Sequence, residues 1–455
     1  MSVRNLEKLF TPASVALIGA TDRMGSVGAV VLRNLRRGGF RGALMLVNPH
    51  HRELAGLTVY PDITSLPDAP DLAVIVTPPA NVPELITKLG ARGTRAAVII
   101  TAGFGEVGDA GKALQQATLD AAEPHLLRLI GPNCVGIMVP GVGLDASFSH
   151  LAPPPGTLAF VSQSGAMITA MLDWATPRGI GFSHVVSLGD MADVDFGDML
   201  DYLAADANTH AVLLYVEGIT HGRKFMSAAR AAARAKPVLV LKAGHSAAGA
   251  KAAHSHTGAL AGSDAVYEAA FARAGMLRVG TMAELFEATE TLTLTKAQKG
   301  ERLAIISNGG GAGVLATDAL AAQGGKLAEL APETIAALDK VLPATWSRGN
   351  PVDIIGDAPG ARYAAAVDKV LTDAGVDAVL VLNCPTALAS PDDAARAVID
   401  TIGAHSAARN VFTAWLGEET AAPARRRFEL AGTPTYETPE AAVAGFLHRV
   451  RYQQN

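Results

Sequence analysis

Val15-Ala16-Leu17-Ile18-Gly19-Ala20-Thr21-Asp22-Arg23-Met24-Gly25-Ser26-Val27-Gly28 reads as a strand, a glycine-rich turn and the start of a helix. Apolar residues in succession, without polar alternation, predict a strand covered on both faces, and so a parallel sheet between helix layers. Working outward, similar runs recur at 42–47, 72–76 and 96–100, each followed by a helical pattern. A stretch from 140 to 156, with Pro153-Pro154-Pro155, reads as a linker. A second cycle of runs follows at 157–161, 184–188, 211–216 and 237–241, and a third at 303–306 and 378–382. The expected fold class is therefore α/β: three consecutive doubly wound Rossmann-like or flavodoxin-like domains with parallel sheets, over 1–149, 150–297 and 298–455. Ligands are expected at the carboxyl ends of the strands.

The whole chain is consistent with this division, since 455 residues exceed one core and a prior of about 150 residues per domain gives roughly three. Hydrophobic residues make up 49% and aromatics only 5%, a mixture suited to closely packed α/β layers. A net charge of −5 supplies no basic field, so nucleic acid is discounted as a partner. Cys134 and Cys384 stand far apart without metal-ligand spacing, so neither a disulfide framework nor a metal site is expected. The N-terminus has no apolar signal segment, and no run of about 18 uncharged apolar residues occurs. A cytoplasmic protein without membrane contact is the expectation.

Three strand-to-helix turns carry candidate anion sites. In the first, glycines let backbone amides approach a phosphate, and the helix N-terminus favours its charge by roughly 0.3–1 kcal/mol. A nicotinamide dinucleotide would require a carboxylate about 20 residues on. Asn48-Pro49-His50 stands there instead, which points to another phosphorylated nucleotide. The strand ends at Thr77-Pro78-Pro79 and Thr101-Ala102-Gly103-Phe104-Gly105-Glu106 are candidate walls for the same ligand. The second turn, Ser162-Gln163-Ser164-Gly165, ends a strand in hydroxyl and amide side chains; it is not a Gly-x-Ser-x-Gly elbow, so an anion site is expected rather than a nucleophile. The third, Ser307-Asn308-Gly309-Gly310-Gly311-Ala312-Gly313, repeats the device with four glycines. No Walker-type site is present, because Gly111-Lys112 is followed by Ala113.

His256 lies in Ala253-His254-Ser255-His256-Thr257-Gly258-Ala259, where no bulky apolar neighbour would pack against it. An imidazole on such a loop, in a chain with several phosphate-type turns, reads as a phosphoryl carrier. His254 is the fallback. Glu217 follows the run 213–216 at a ligand-binding edge, where a carboxylate could orient one ring nitrogen while the other attacks phosphorus.

These motifs, with Gly131-Pro132-Asn133-Cys134-Val135-Gly136 and Tyr215-Val216-Glu217-Gly218, resemble over essentially the whole chain the α subunit, or α-like half, of the NDP-forming acyl-CoA synthetases. That group includes the ADP-forming acetyl-CoA synthetases and is related to succinyl-CoA synthetase. The resemblance implies a CoA-binding first domain and two ligase domains, acting on acyl-CoA + phosphate + ADP ⇌ acid + CoA + ATP. It implies that His256 is the phosphohistidine and that Glu217 orients it. Gln163, Ser164, Gly165, Asn308, Gly309, Gly310 and Gly311 would hold phosphate. Gly19, Ala20, Thr21, Gly25, Ser26, Val27, Asn48, Pro49, Thr77, Pro78 and Asn133 would face CoA.

The sequence departs from the family in three places. No ATP-grasp module follows, so ADP, ATP and Mg are expected only through an ATP-grasp β subunit or fused domain, and self-association is a further expectation. His50 stands where many relatives have lysine, and Asp190 where others often have asparagine. The latter resembles the branch fused to acetyltransferase domains, so the rival reading is an acyl-CoA-sensing module of a protein lysine acetyltransferase. Retention of His256, Glu217 and the anion turns favours catalysis, because a sensor has no need of a phosphoryl carrier.

Overall fold

Leu72-Ala73-Val74-Ile75 and Ala211-Val212-Leu213-Leu214 have no polar residue to turn toward water, and all eight are buried. Layers on both faces of each sheet follow from that. The computed structural model describes residues 3–246, 248–249, 251, 263–298, 300–405 and 409–455. Within it the chain divides into two compact units, 1–285 and 286–455.

The first unit holds two seven-stranded sheets. One comprises β1 (Ser14–Ile18), β2 (Ala43–Val47), β3 (Glu53–Leu54), β4 (Leu57–Tyr60), β5 (Leu72–Ile75), β6 (Ala96–Ile99) and β7 (Arg128–Ile130), in the order β3-β4-β2-β1-β5-β6-β7. Val15 of β1 lies beside Leu44 on one side and Leu72 on the other, both in parallel pairing. Strand order reverses at β1, which opens a crevice at its carboxyl end, the usual ligand position in such folds.

The second sheet is built from β8 (Gly136–Val139), β9 (Leu144–Ser147), β10 (Pro155–Ser162), β11 (Phe182–Ser187), β12 (Ala211–Val216), β13 (Val238–Lys242) and β14 (Leu277–Val279). Its order is β14-β13-β12-β10-β11-β8-β9, with the reversal at β10. Of the stretch 140–156, expected as a linker, the first half is structured: a 3-10 turn at Pro140–Val142 joins β8 to β9, and β9 is buried throughout, while 148–154 lie outside helix and strand before β10 begins. Pro140 and Gly141 serve a hairpin turn rather than a tether. β8 pairs antiparallel with β11, Met138 opposite Val185, so the edge of this sheet is not parallel and residues 136–147 hydrogen-bond into the second sheet. The buried Asn34, on the helix Val27–Arg37, donates to Ser147 O at 2.9 Å and Ser149 O at 2.8 Å. One continuous apolar cluster accordingly runs from Leu6 through Val15, Ile137 and Val161 to Met276.

The second unit carries β15 (Arg302–Ser307), β16 (Lys326–Leu327), β17 (Val352–Asp353), β18 (Ala378–Asn383), β19 (Asn410–Trp415) and β20 (Thr435–Tyr436), all in parallel pairing. Trp415 packs between Tyr363 and Phe428 and donates from Nε1 to Pro391 O. Among the described residues no helix is long and apolar enough to cross a membrane.

Candidate active site

The turn after β1 begins at Gly19, whose φ of +98° suits glycine, and leads into the helix Val27–Arg37 capped by Ser26. Ser26 Oγ donates to Arg23 O and accepts from Ala29 N, which closes the turn. A Cβ at Gly28 would stand 2.5 Å from Gly19 O, so helix and strand approach too closely for a side chain there. Asn48 holds the turn from behind: its Nδ2 donates to Ala20 O at 2.7 Å and its Oδ1 accepts from His50 N at 2.8 Å. Both ends of that amide are committed to backbone, so Asn48 shapes the turn.

The turn after β10 is locked by a serine. Ser162 Oγ accepts from Ser164 N at 3.1 Å and donates to Ser164 O at 2.7 Å. The helix Gly165–Ala175 then starts with no side chain capping its first amides, which leaves them for an anion. A Cβ on Gly165 would lie 2.5 Å from Val135 Cγ2, so only glycine lets the 131–136 segment close over this helix end. Gln163 reaches sideways to β12, where its Oε1 accepts from Glu217 N at 2.9 Å and Gly218 N at 3.0 Å. The Glu217 backbone is thereby fixed at the sheet's carboxyl edge. Tyr267 OH, accepting from Ile219 N at 3.3 Å, continues the clamp.

A cleft of about 860 Å³ lies within the first unit and brings these edges together. Val27, Thr77, Pro78, Asn133, Gln163, Ser164, Gly165 and Glu217 all line it. Strand ends of both sheets of the unit therefore supply the expected residues to one cavity. Among the described residues Thr77 Oγ1 is buried without a hydrogen-bond partner, a polar atom suited to a ligand. Asn133 sits at φ +57° with its amide nitrogen donating to Asp190 Oδ1 at 3.2 Å. Gly19, Ala20, Thr21, Gly25 and Ser26 build the turn beside the cleft, and Asn48 and Pro49 stand behind it; none of these seven lines it.

Several lining residues fall outside the site residues expected from the sequence, among them Arg23, Cys134 and Asp190, while Glu106 belongs to the stretch expected as a wall. Arg23 is an exposed guanidinium within the first glycine turn, and its place among glycines was the available signal. Cys134 is not a nucleophile, because burial pushes its thiol up to about 12 while its Sγ contacts Ile99 O at 3.4 Å. Glu106 and Asp190 come from different sheets, so no sequence spacing could have paired them.

The second unit, taken by itself, repeats the serine lock. Ser307 Oγ accepts from Gly309 N at 3.0 Å and donates to Gly309 O at 2.8 Å, ahead of the helix Gly310–Ala322. Asn308 takes the place of Gln163: its Oδ1 accepts from Cys384 N at 2.7 Å and its Nδ2 donates to Cys384 O at 2.9 Å. Asn308 therefore shapes the cradle, and the amides of Gly310 and Gly311 are the groups it presents. His254 and His256 lie outside the described residues.

Family models match the chain in three consecutive parts: a CoA-binding domain over 13–140, a succinyl-CoA-ligase-like flavodoxin domain over 155–292, and a ligase-CoA domain over 303–426. The ADP-forming acetate–CoA ligase I of Archaeoglobus fulgidus is 41% identical over 99% of this chain, which spans 64% of that protein. The α subunit of ADP-forming acetate–CoA ligase I of Pyrococcus furiosus is 38% identical over 96% of each chain. A solved structure of dinucleotide-forming acetyl-coenzyme A synthetase 1 from Ca. Korarchaeum cryptofilum, in complex with phosphate and ADP, superposes with a TM-score of 0.90 at 36% identity. That superposition covers 98% of this chain and 96% of the other. With these three family models in order and 38–41% identity over nearly the whole chain, the chain belongs to the NDP-forming acyl-CoA synthetase family, as a chain of the α-subunit type.

Proposed function

We propose that this chain binds CoA and acyl-CoA in the first-unit cleft and passes a phosphoryl group from an acyl phosphate to His256. One observation carries the reading: the edge of the CoA-type sheet, at Val27, Thr77 and Pro78, shares a cavity with the uncapped helix start at Gly165 and with Glu217. A thioester and an inorganic phosphate bound there would be neighbours.

A phosphate oxygen attacks the thioester carbonyl, the C–S bond breaks, and CoA departs as its thiol after taking up a proton. His256 then attacks phosphorus, the P–O bond to the acyl group breaks, and the carboxylate leaves. Holding phosphate on helix amides converts these steps to attack within one complex, with charge met by fixed dipoles. Glu217, oriented through Gln163, would accept a hydrogen bond from one ring nitrogen and stabilise positive charge on the imidazole. Gln163 supports the site by holding the Glu217 and Gly218 backbone, and Asn133 by holding the Asp190 carboxyl; within the second unit, Asn308 holds the Cys384 backbone and Gly309 to Gly311 offer helix amides of their own. Transfer to ADP, with Mg, requires an ATP-grasp partner chain or fused domain. Self-association and a cytoplasmic setting belong to this reading as expectations.

The test is intact mass of the full chain after incubation with phosphate and short acyl-CoAs. Wild type should gain one acid-labile phosphoryl group that His256→Ala and Glu217→Gln lack. Phosphorylation retained in His256→Ala, or absent from wild type even with an ATP-grasp partner supplied, overturns the relay.

A further inference from the structure

Two carboxyl-bearing residues from different sheets of the first unit, Glu106 and Asp190, line the same cleft. Glu106 follows β6, and its two oxygens accept from Gly103 N and Phe104 N. Asp190 follows β11, anchored by its own N–H to Pro132 O at 3.0 Å and by Asn133 Nδ2 on Oδ1. A Cβ placed on Gly105, the residue before Glu106, would lie 3.6 Å from Asp190 Oδ2, so the Asp190 carboxyl packs against the turn that carries Glu106. Among the described residues Asp190 Oδ2 is buried and meets no N–H or O–H donor, and Gln115 Oε1, beside the same turn, is a second such buried acceptor. Buried acceptors crowded together without a donor are expensive, and a single proton between the carboxyl groups resolves the conflict. Burial first, then the negative charge of Glu106, pushes Asp190 up to about 7. Burial also acts to raise Glu106, but the Gly103 and Phe104 amides and Asp190 outweigh it and hold it below the usual glutamate range. The other titratable groups around the pair are the Cys134 thiol beside Asp190, and Arg23 and Glu217 on the same cleft wall.

We propose that Glu106 and Asp190 share one proton across the seam between the two sheets, and that this singly charged pair is the form of the cleft that binds CoA. Loss of the proton breaks the carboxyl–carboxylate bond and places a second negative charge where an anionic ligand must enter. The pair acts through the shape and charge of the cleft, so both are positioning residues. The inference rests on the cleft being the CoA site.

The experiment is calorimetric titration of the full chain with CoA between pH 6 and 8.5, for wild type, Asp190→Asn and Glu106→Gln. An amide in either position supplies its own donor and removes the shared proton. The ratio of wild-type to Asp190→Asn dissociation constants cancels the ionisation of CoA itself. Above about pH 7 that ratio should climb toward tenfold per unit, reaching roughly 30-fold at pH 8.5 relative to its value at pH 6. Glu106→Gln should track Asp190→Asn across the range. A ratio that stays flat while all three proteins bind CoA overturns the shared proton; a Glu106→Gln profile that follows wild type does so too. No CoA binding by any of the three overturns the assignment of the cleft itself.

Discussion

Gln163→Leu removes the acceptor for two backbone donors, Glu217 N and Gly218 N, held at 2.9 and 3.0 Å. Both bonds are part-buried, and a net contribution of about 1 kcal/mol each gives about 2 kcal/mol for the end of β12. Divided by RT, that is roughly a 30-fold rise in the population of locally opened chain. Hydrogen exchange followed by mass spectrometry reads this directly on the peptide containing Glu217 and Gly218, without assuming that a two-unit chain unfolds in one step. Exchange there should accelerate by about 30-fold in Gln163→Leu, while peptides from β1 and β15 keep wild-type rates. Gln163→Glu keeps an acceptor oxygen in the same place and should keep the protection. Because a drifting Glu217 can no longer orient an imidazole, phosphohistidine formation should fall with the Leu variant. Wild-type exchange at 217–218 in Gln163→Leu would refute the clamp, as would equal deprotection in Leu and Glu variants.

Gly28→Ala would put a Cβ 2.5 Å from Gly19 O, a backbone atom that cannot swing aside, so the first turn must open; CoA affinity measured by calorimetry should drop at least tenfold, by at least about 1.4 kcal/mol. Cys134, with its thiol pushed up to about 12 by burial, should resist alkylation at pH 8 in native protein and react fully in denaturant, as peptide mapping would show. His184 sits between Phe10 and Tyr202, and burial pushes it down to about 4 despite the attraction of Asp206 and with Lys236 opposing its charge. A folded-state value below the unfolded one means that stability is intact above about pH 6.5 and declines as pH falls toward 4. The decline attributable to this residue is up to about 3 kcal/mol. His184→Phe should flatten that part of the wild-type pH–stability curve, and an unchanged difference between pH 7 and 4.5 would count against it.

The three-part α/β order was legible because strands buried on both faces are apolar without interruption, a one-dimensional signal that 72–75 and 211–214 carry in full. The glycine turns were legible for a similar reason: strand, glycine and helix are neighbours in sequence. What could not be read was sideways pairing. Residues 140–156 look like chain between domains, yet 140–147 belong to the hairpin of β8 and β9, whose partner, β11, begins at Phe182. Asn48, Gln163 and Asn308 are ligand contacts in the family resemblance. Their partners at Ala20, Glu217 and Cys384 lie 28, 54 and 76 positions away, a separation that only strand order reveals. The pairing of Glu106 with Asp190 was hidden by the same limit.

Strand order also separates the two serine-locked cradles chemically. Ser162 pairs with Tyr215 and Ser307 with Leu382, so the residue two places beyond each partner is equivalent: Glu217 in one sheet, Cys384 in the other. The amide clamp after each serine reaches that same position, through Gln163 and through Asn308. The framework is thus repeated while the group at its edge is not. A carboxylate can orient an imidazole and stabilise its cation as it takes up a phosphoryl group. The Cys384 thiol, pushed up by burial, stays neutral and can do neither. At the clamped position the first-unit turn has a carboxylate, Glu217, and the second-unit turn the thiol of Cys384; the carboxylate near the second turn, Asp353, stands instead beside Gly310, with Oδ2 3.2 Å from where a Cβ on that glycine would be. Cys384→Glu offers a direct check on that distinction: if geometry and charge at this position are sufficient, the substituted cradle should acquire imidazole binding by calorimetry, and failure to do so in a folded variant would show that more than the clamp and the carboxylate is required.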